Sequence, residues 1–149
     1  MKKILTVCAT LLSFTVAKAD DLSFIAHGFS KHLDNHNFVE RNYGTAIRYE
    51  GSNYGIQTGA YRNSINNTSF YFGIDYSPFH YKTDSCISIN SGIYYGVATG
   101  YTWDITPMIG IQSAIKCDKL FVRFRVMPDP FYNSKIAGAV ELGFVIKQF

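Results

Sequence analysis

The chain has 149 residues and a formal charge of +3, yet only 17% of its residues are charged while 16% are aromatic. Such a composition leaves too little charge to cover a water-soluble secreted domain and points to an apolar solvent around the protein. No Lys or Arg stripe is present that would mark a nucleic-acid partner.

Met1-Lys2-Lys3 is a basic start, Ile4 to Val16 is an apolar run, and Ala17-Lys18-Ala19 offers small residues for a signal peptidase. The expected division is a signal peptide over residues 1–19 and one mature domain over residues 20–149. Cleavage removes Lys2, Lys3 and Lys18, so fourteen basic residues fall to eleven, equal to the eleven acidic ones. Cys8 lies inside the apolar run, too early for a lipoprotein site, and leaves with it.

No mature window holds the roughly 20 apolar residues of a spanning helix, so a membrane reading requires a closed barrel. Eight strand-like stretches follow in order: Leu22 to Phe29, Tyr43 to Glu50, Tyr54 to Arg62, Thr68 to Ser77, Cys86 to Thr99, Pro107 to Lys116, Leu120 to Met127 and Ile136 to Phe149. Alternation is strongest in the second half, where Ile109, Ile111 and Ile115 or Val140, Leu142, Phe144 and Ile146 form apolar rows. The opposite faces carry Asn90, Gln112, Arg123, Arg125 and Glu141 with several glycines. The fold class expected is all-β, an eight-stranded antiparallel up-and-down transmembrane barrel, with Arg and Glu paired in a filled lumen.

A soluble barrel would invert this, with the Ile rows inside, and periodicity alone does not choose between them. Low charge and the aromatics near strand ends (Tyr54, Tyr61, Tyr76, Tyr94, Tyr95, Tyr101, Trp103) favour the membrane. Phe149 is a terminal aromatic of the kind that closes outer-membrane barrels, although its parity differs from that of Val140 to Ile146, which calls for a bulge or makes the ending coincidental.

With the amino terminus on the periplasmic side, Gly51 to Asn53, Phe79 to Asp84 and Cys117 to Lys119 become inner turns. Ser30 to Asn42, Asn63 to Asn67, Gly100 to Thr106 and Pro128 to Lys135 become outer loops, which puts His32 and Ser64 on one side. Cys86 and Cys117 lie near inner turns in an oxidising compartment, where a disulfide is allowed, but their strand parities oppose one another. His27, His32 and His36 have no metal-ligand spacing, His80 sits in an inner turn with no obvious partner, and no cofactor motif is recognised. Asn66-Asn67-Thr68 is read as a turn rather than a glycosylation site.

An outward His and a Ser at the start of the next outer turn could form a base and nucleophile, or a base and an orienting hydroxyl. The plainer reading makes Asn63 and Ser64 turn residues and His32 a solvated loop residue.

Val39-Glu40-Arg41-Asn42-Tyr43-Gly44 resembles the Asn-Glu-Arg-Pro-Trp-Gly stretch of the outer-membrane lipid A palmitoyltransferases (PagP), and Gly59-Ala60-Tyr61-Arg62-Asn63-Ser64 resembles their segment ending in Asp-Ser. Weaker similarity runs through Gly92 to Thr99, Pro107-Met108, Val126-Met127-Pro128 and Gln148-Phe149. The resemblance implies an eight-stranded barrel in the bacterial outer membrane that takes an acyl chain from a phospholipid to lipid A, with phospholipid and lipopolysaccharide as partners and a monomer as its state. It implies His32, Asn63 and Ser64 as the catalytic positions, with His27 as second choice for the histidine. The family's amino-terminal helix has no counterpart here.

Asn63 stands where the family has a carboxylate. An amide can hydrogen-bond an imidazole but cannot stabilise its charge, which counts against activity. An acyl site also needs a vacant apolar space, and Gly59, Gly96 and Gly110 are expected to leave it beneath the outer loops, with Arg123, Arg125 and Glu141 plugging the rest. Two other readings stand beside the enzyme: a non-catalytic membrane barrel with surface-interaction loops, and a soluble periplasmic ligand-binding barrel.

Overall fold

A computed structural model describes residues 21–32, 38–128 and 136–149. The expected signal peptide and His36 lie outside the described residues. Eight strands form: β1 (Asp21–His32), β2 (Arg41–Glu50), β3 (Tyr54–Arg62), β4 (Thr68–Lys82), β5 (Ile87–Ala98), β6 (Thr106–Cys117), β7 (Leu120–Met127) and β8 (Ala137–Gln148). Each pairs antiparallel with its neighbours in sequence, and β8 returns to β1, so the sheet closes and no edge is left open.

The alternating pattern is realised with its polar side inward. Ile47, Phe72, Ile93, Ile111, Phe124 and Leu142 are exposed on the outer surface, whereas Arg48, Gln57, Asp75, Arg123, Arg125 and Glu141 are buried in the lumen. This is the arrangement of a barrel whose solvent is lipid, and it overturns the soluble alternative, in which the Ile rows would fill the interior. A filled lumen also needs its charges paired. Near the turn end, where β2 meets β3, Arg48 donates to both oxygens of Asp75 and to Glu50 Oε1 at 3.1 Å, and Asn90 donates to the same Glu50 oxygen at 3.1 Å. Midway up, Arg125 Nη1 donates to Glu141 Oε1 at 2.8 Å and Arg123 Nη1 to Glu141 Oε2 at 3.4 Å and Gln57 Oε1 at 3.0 Å. The expected Arg and Glu plug is therefore present.

The largest departures from the expected bounds are in β1 and β4, each beside an irregular register, and β8 carries a third register shift. β4 runs to Lys82, not Ser77, because a register shift between Tyr76 and Phe79 absorbs Pro78, whose missing N–H would interrupt a regular ladder. The β3 partner has already ended opposite Tyr76, so Pro78 lies on a stretch paired only to β5. His80 is accordingly a strand residue rather than a turn residue, and its Nε2 lies 3.0 Å from Asn53 Oδ1. In β8 the register against β1 slips between Val145 and Lys147, which is the bulge that the parity of Phe149 required, and Ile146 and Phe149 are both exposed. β1 continues to His32, placing that histidine in the ladder opposite Ala137 and not in a loop.

The aromatic residues divide by parity. Tyr54, Tyr76, Tyr95 and Trp103 are exposed, and the Tyr54 and Tyr76 rings lie 4.9 Å apart. Tyr61 and Tyr94, expected in the outer girdle, share the inward row of their strands, and Tyr101 packs beside Tyr61 within the barrel. Exposed Tyr43, Tyr49, Phe79 and Tyr81 enlarge the outer aromatic set instead.

Cys86 and Cys117 form a disulfide with a Cα–Cα distance of 4.8 Å. The parity objection does not apply, since Cys86 precedes the ladder and Ile87 is the residue opposite Cys117.

Candidate functional site

The register shift between His27 and Phe29 creates the site. Before it, Asp21, Ser23, Ile25 and His27 point inward at odd positions; after it, Ser30 and His32 do so at even ones. Without the shift His32 would face lipid. Gly28 sits at this point, and a Cβ there would meet only the Val140 carbonyl, at 3.4 Å.

His32 Nε2 lies 2.7 Å from Ser64 Oγ, and both residues are buried, 8% and 9% exposed. If the proton of the imidazole is on Nδ1, Nε2 accepts the Ser64 hydroxyl proton, the arrangement of a base beside a nucleophile. The Phe38 ring covers His32 at a centroid distance of 4.4 Å and limits its rotation. The Ser64 carbonyl accepts from Val39 N at 2.8 Å, and Asn42 Nδ2 donates to the Arg62 carbonyl at 2.9 Å while its Oδ1 accepts from Ser30 Oγ at 2.6 Å. Asn42 thus ties β1, β2 and β3 together beneath the pair. The Glu-Arg-Asn stretch that opens β2 carried this signal as a motif, but nothing in its spacing assigned Asn42 a positioning task.

Asn63 is adjacent to Ser64 yet turns away. Its Oδ1 accepts from Ile65 N at 3.1 Å and Asn67 N at 2.9 Å, and its Nδ2 donates to Ser69 Oγ at 3.0 Å and the Gly100 carbonyl at 2.8 Å. Those four bonds use the amide's full capacity. The side chain holds the β3–β4 turn and clips it to the loop after β5; it does not reach His32. Asn66, with φ +67°, completes the turn and accepts from Arg62 Nε at 2.8 Å.

A carboxylate at position 63 could keep the two accepted bonds but not the two donated ones, and would face the Gly100 carbonyl. Asn63→Asp is therefore expected to destabilise the fold by about 1–3 kcal/mol, read from denaturant midpoints in micelles, without raising activity.

His32 and Ser64 stand on the wall of a cavity of about 130 Å³ at the loop end of the barrel. Phe38, Ile65, Tyr101, Trp103, Met108 and Met127 give it apolar walls, and His27, Tyr71, Tyr94, Arg125 and Glu141 also line it. By size it holds about four waters or a short apolar chain. Its room does not come from Gly59, Gly96 or Gly110, none of which lines it. A Cβ on Gly59 would strike Ala46, one on Gly110 the Val126 carbonyl, and one on Gly96 the Tyr94 hydroxyl at 2.6 Å. The space lies along the β1–β8 seam, where Ala137, Gly138 and Ala139 line the wall and a Cβ on Gly138 would meet nothing nearer than 3.9 Å.

His27, the second choice for the histidine, lies deeper. Its Nδ1 is 3.1 Å from Glu141 Oε1 and its Nε2 2.9 Å from the Tyr71 hydroxyl, which accepts from Gln57 Nε2 at 3.2 Å. This carboxylate–imidazole–phenol chain belongs to the lumen network.

No family model matches the chain, and no curated protein matches it in sequence. Among solved structures, the chain is similar to the N-terminal β-barrel domain of Pseudomonas aeruginosa OprF, with 13% identity, a TM-score of 0.48, and coverage of 86% of this chain and 98% of that one.

Proposed function

We propose that the protein is a bacterial outer-membrane barrel that binds a lipid acyl ester at its loop end and transfers the acyl group through Ser64. The reading rests on one observation: a buried Ser64–His32 pair at 2.7 Å on the wall of an apolar-lined cavity. A nucleophile and its base in hydrogen-bond contact, beside a space for an apolar chain, fit acyl transfer from a phospholipid. Export through a cleaved signal peptide and a monomeric state belong to the same reading.

In the proposed sequence Ser64 Oγ attacks the ester carbonyl and its proton passes to His32 Nε2. The tetrahedral adduct collapses, the carbon–oxygen bond to the lysophospholipid breaks, and His32 returns the proton to the departing alkoxide. A hydroxyl of lipid A then attacks the acyl-serine with His32 again as base, restoring free Ser64. Water in place of that hydroxyl would release a fatty acid. Asn63 takes no part in these steps, since the amide spends its bonds in its own turn and does not reach the imidazole.

The test is to place the purified barrel in phospholipid vesicles containing lipopolysaccharide and analyse the lipids by mass spectrometry. Lysophospholipid together with lipid A heavier by one acyl group is the expected result. An unchanged lipid profile with the folded barrel present would overturn the enzymatic reading and leave a binding barrel.

A further inference from the structure

The loop-end rim carries its positive charge on one side. Among the described residues its exposed cations are Lys31 on β1, Arg41 on β2 and Arg62 on β3, whereas the far side shows exposed Asp104 after β5. All three cations have the outward parity of their strands, next to buried His32, Asn42 and Asn63. Their partners differ. Lys31 Nζ donates to Glu40 Oε1 at 2.5 Å, so the carboxylate that precedes Arg41 in sequence serves the lysine. Arg62 donates through Nε to Asn66 Oδ1 at 2.8 Å, and among the described residues neither Arg41 nor Arg62 forms an ion pair. The exposed cations of the turn end, Lys82, Lys119 and Lys147, are single lysines spread over β4, the β6–β7 turn and β8, with Asp84 and Asp118 exposed at the same end.

The two arginines are neighbours across the β2–β3 junction. Val39 N donates to the Ser64 carbonyl at 2.8 Å and Asn42 Nδ2 to the Arg62 carbonyl at 2.9 Å, which holds the start of β2 against the end of β3 on both sides of Arg41. Like charges on adjoining strands repel, the more so where lipid lowers the dielectric, and an anion between them reverses the sign. Asn66, set by its turn, orients Arg62 through Nε and leaves the Nη groups to meet the oxygens of one anion. One outward position nearer the barrel middle stand exposed Tyr43 on β2 and Phe70, opposite Ala60, on β4. Such rings mark headgroup depth, and cations just above them lie at the level of lipid phosphates.

We propose that Arg41 and Arg62 form a site on the lipid-facing wall for a lipid headgroup that carries a phosphate monoester, taken between the two guanidiniums with its acyl chains along Tyr43 and Phe70. Two cations match the roughly two negative charges of a monoester near neutral pH better than the single charge of a phosphodiester. The site rests on the outer-membrane reading and not on acyl transfer, although Arg62 stands two residues before Ser64 and would hold such a lipid against the wall beside the pair.

Phosphatidic acid and phosphatidylglycerol with identical chains, each titrated onto the folded barrel in neutral micelles and counted by native mass spectrometry, test the proposal. Phosphatidic acid should bind at least about tenfold more tightly. Arg41→Gln combined with Arg62→Gln should bring it down to the level of phosphatidylglycerol, while Lys82→Gln combined with Lys147→Gln, an equal loss of charge at the turn end, should leave it unchanged. All four side chains are exposed, so these variants should fold, and heat-dependent gel mobility checks that they do. Arg62→Lys keeps the charge without the fork and should lose part of the preference. Equal binding of the two lipids, an unchanged preference in the folded double arginine variant, or displacement of phosphatidic acid by inorganic phosphate at matching concentration would overturn the site. The preference should persist in Ser64→Ala, which separates it from acyl transfer. Density fractionation of cells reads the outer-membrane premise on its own, so a barrel found in that membrane without the preference sinks the site and leaves the premise standing.

Discussion

Ser64→Ala should abolish acyl release, lowering it by at least about 10³-fold, while the barrel remains folded. The size follows from what is removed: a nucleophile acting as a unit with its base contributes several orders of magnitude, and neither partner retains much alone. The fold should tolerate the change. The Ser64 carbonyl that holds Val39 belongs to the backbone, and the turn is fixed by the Asn63 side chain. Two measurements check the prediction: release of lysophospholipid, and covalent capture of the protein by a lipid-like fluorophosphonate, with heat-dependent gel mobility reporting the folded barrel. His32→Gln should lose rate similarly, since the amide can still hydrogen-bond Ser64 but cannot take its proton at neutral pH. Full acyl release from folded Ser64→Ala would assign the pair a purely structural role.

The barrel was legible because its two faces meet different solvents. A period of two with apolar residues on one side and Arg123, Arg125 and Glu141 on the other has few solutions once a spanning helix is excluded, and the bounds of β3 and β7 follow from it directly. Bulges were harder to read. Gly28 looks like any glycine in a strand, and Pro78 looks like a strand terminator until the neighbouring strand is known to have ended. The parity change near Gly28 is what turns His32 inward, so composition and spacing could assign it only to a loop. Pairing of His32 with Ser64 could be anticipated, because topology puts the end of β1 and the β3–β4 turn at the same rim. The orientation of Asn63 could not, since an amide in a turn can serve its own backbone or a neighbour with equal ease. The cavity was sought beneath glycines, but glycines in a small barrel admit close neighbours, as Gly73 and Gly96 admit Tyr94.

Glu141→Ala should be the most destabilising single substitution in the lumen, at about 3–5 kcal/mol, the range for removing one member of a buried ion pair. Glu141 answers three groups, with Oε1 near Arg125 Nη1 and His27 Nδ1 and Oε2 near Arg123 Nη1. Its loss leaves two buried guanidiniums with no carboxylate in their layer. Urea unfolding in micelles, followed by tyrosine fluorescence, should show the midpoint falling without a change in slope. The double variant Glu141→Ala with Arg123→Met should recover part of the loss, because it removes a stranded charge as well as the carboxylate that matched it. Equal loss in the single and double variants would mean that packing, not charge, sets the cost. Ser64 and His32 lie above this layer, so a barrel that loosens here should open its Arg and Glu network before it loses the Ser64–His32 contact. Local opening starts where a buried group has lost its partner, and the rim pair keeps its own supports in Phe38, Val39 and Asn42.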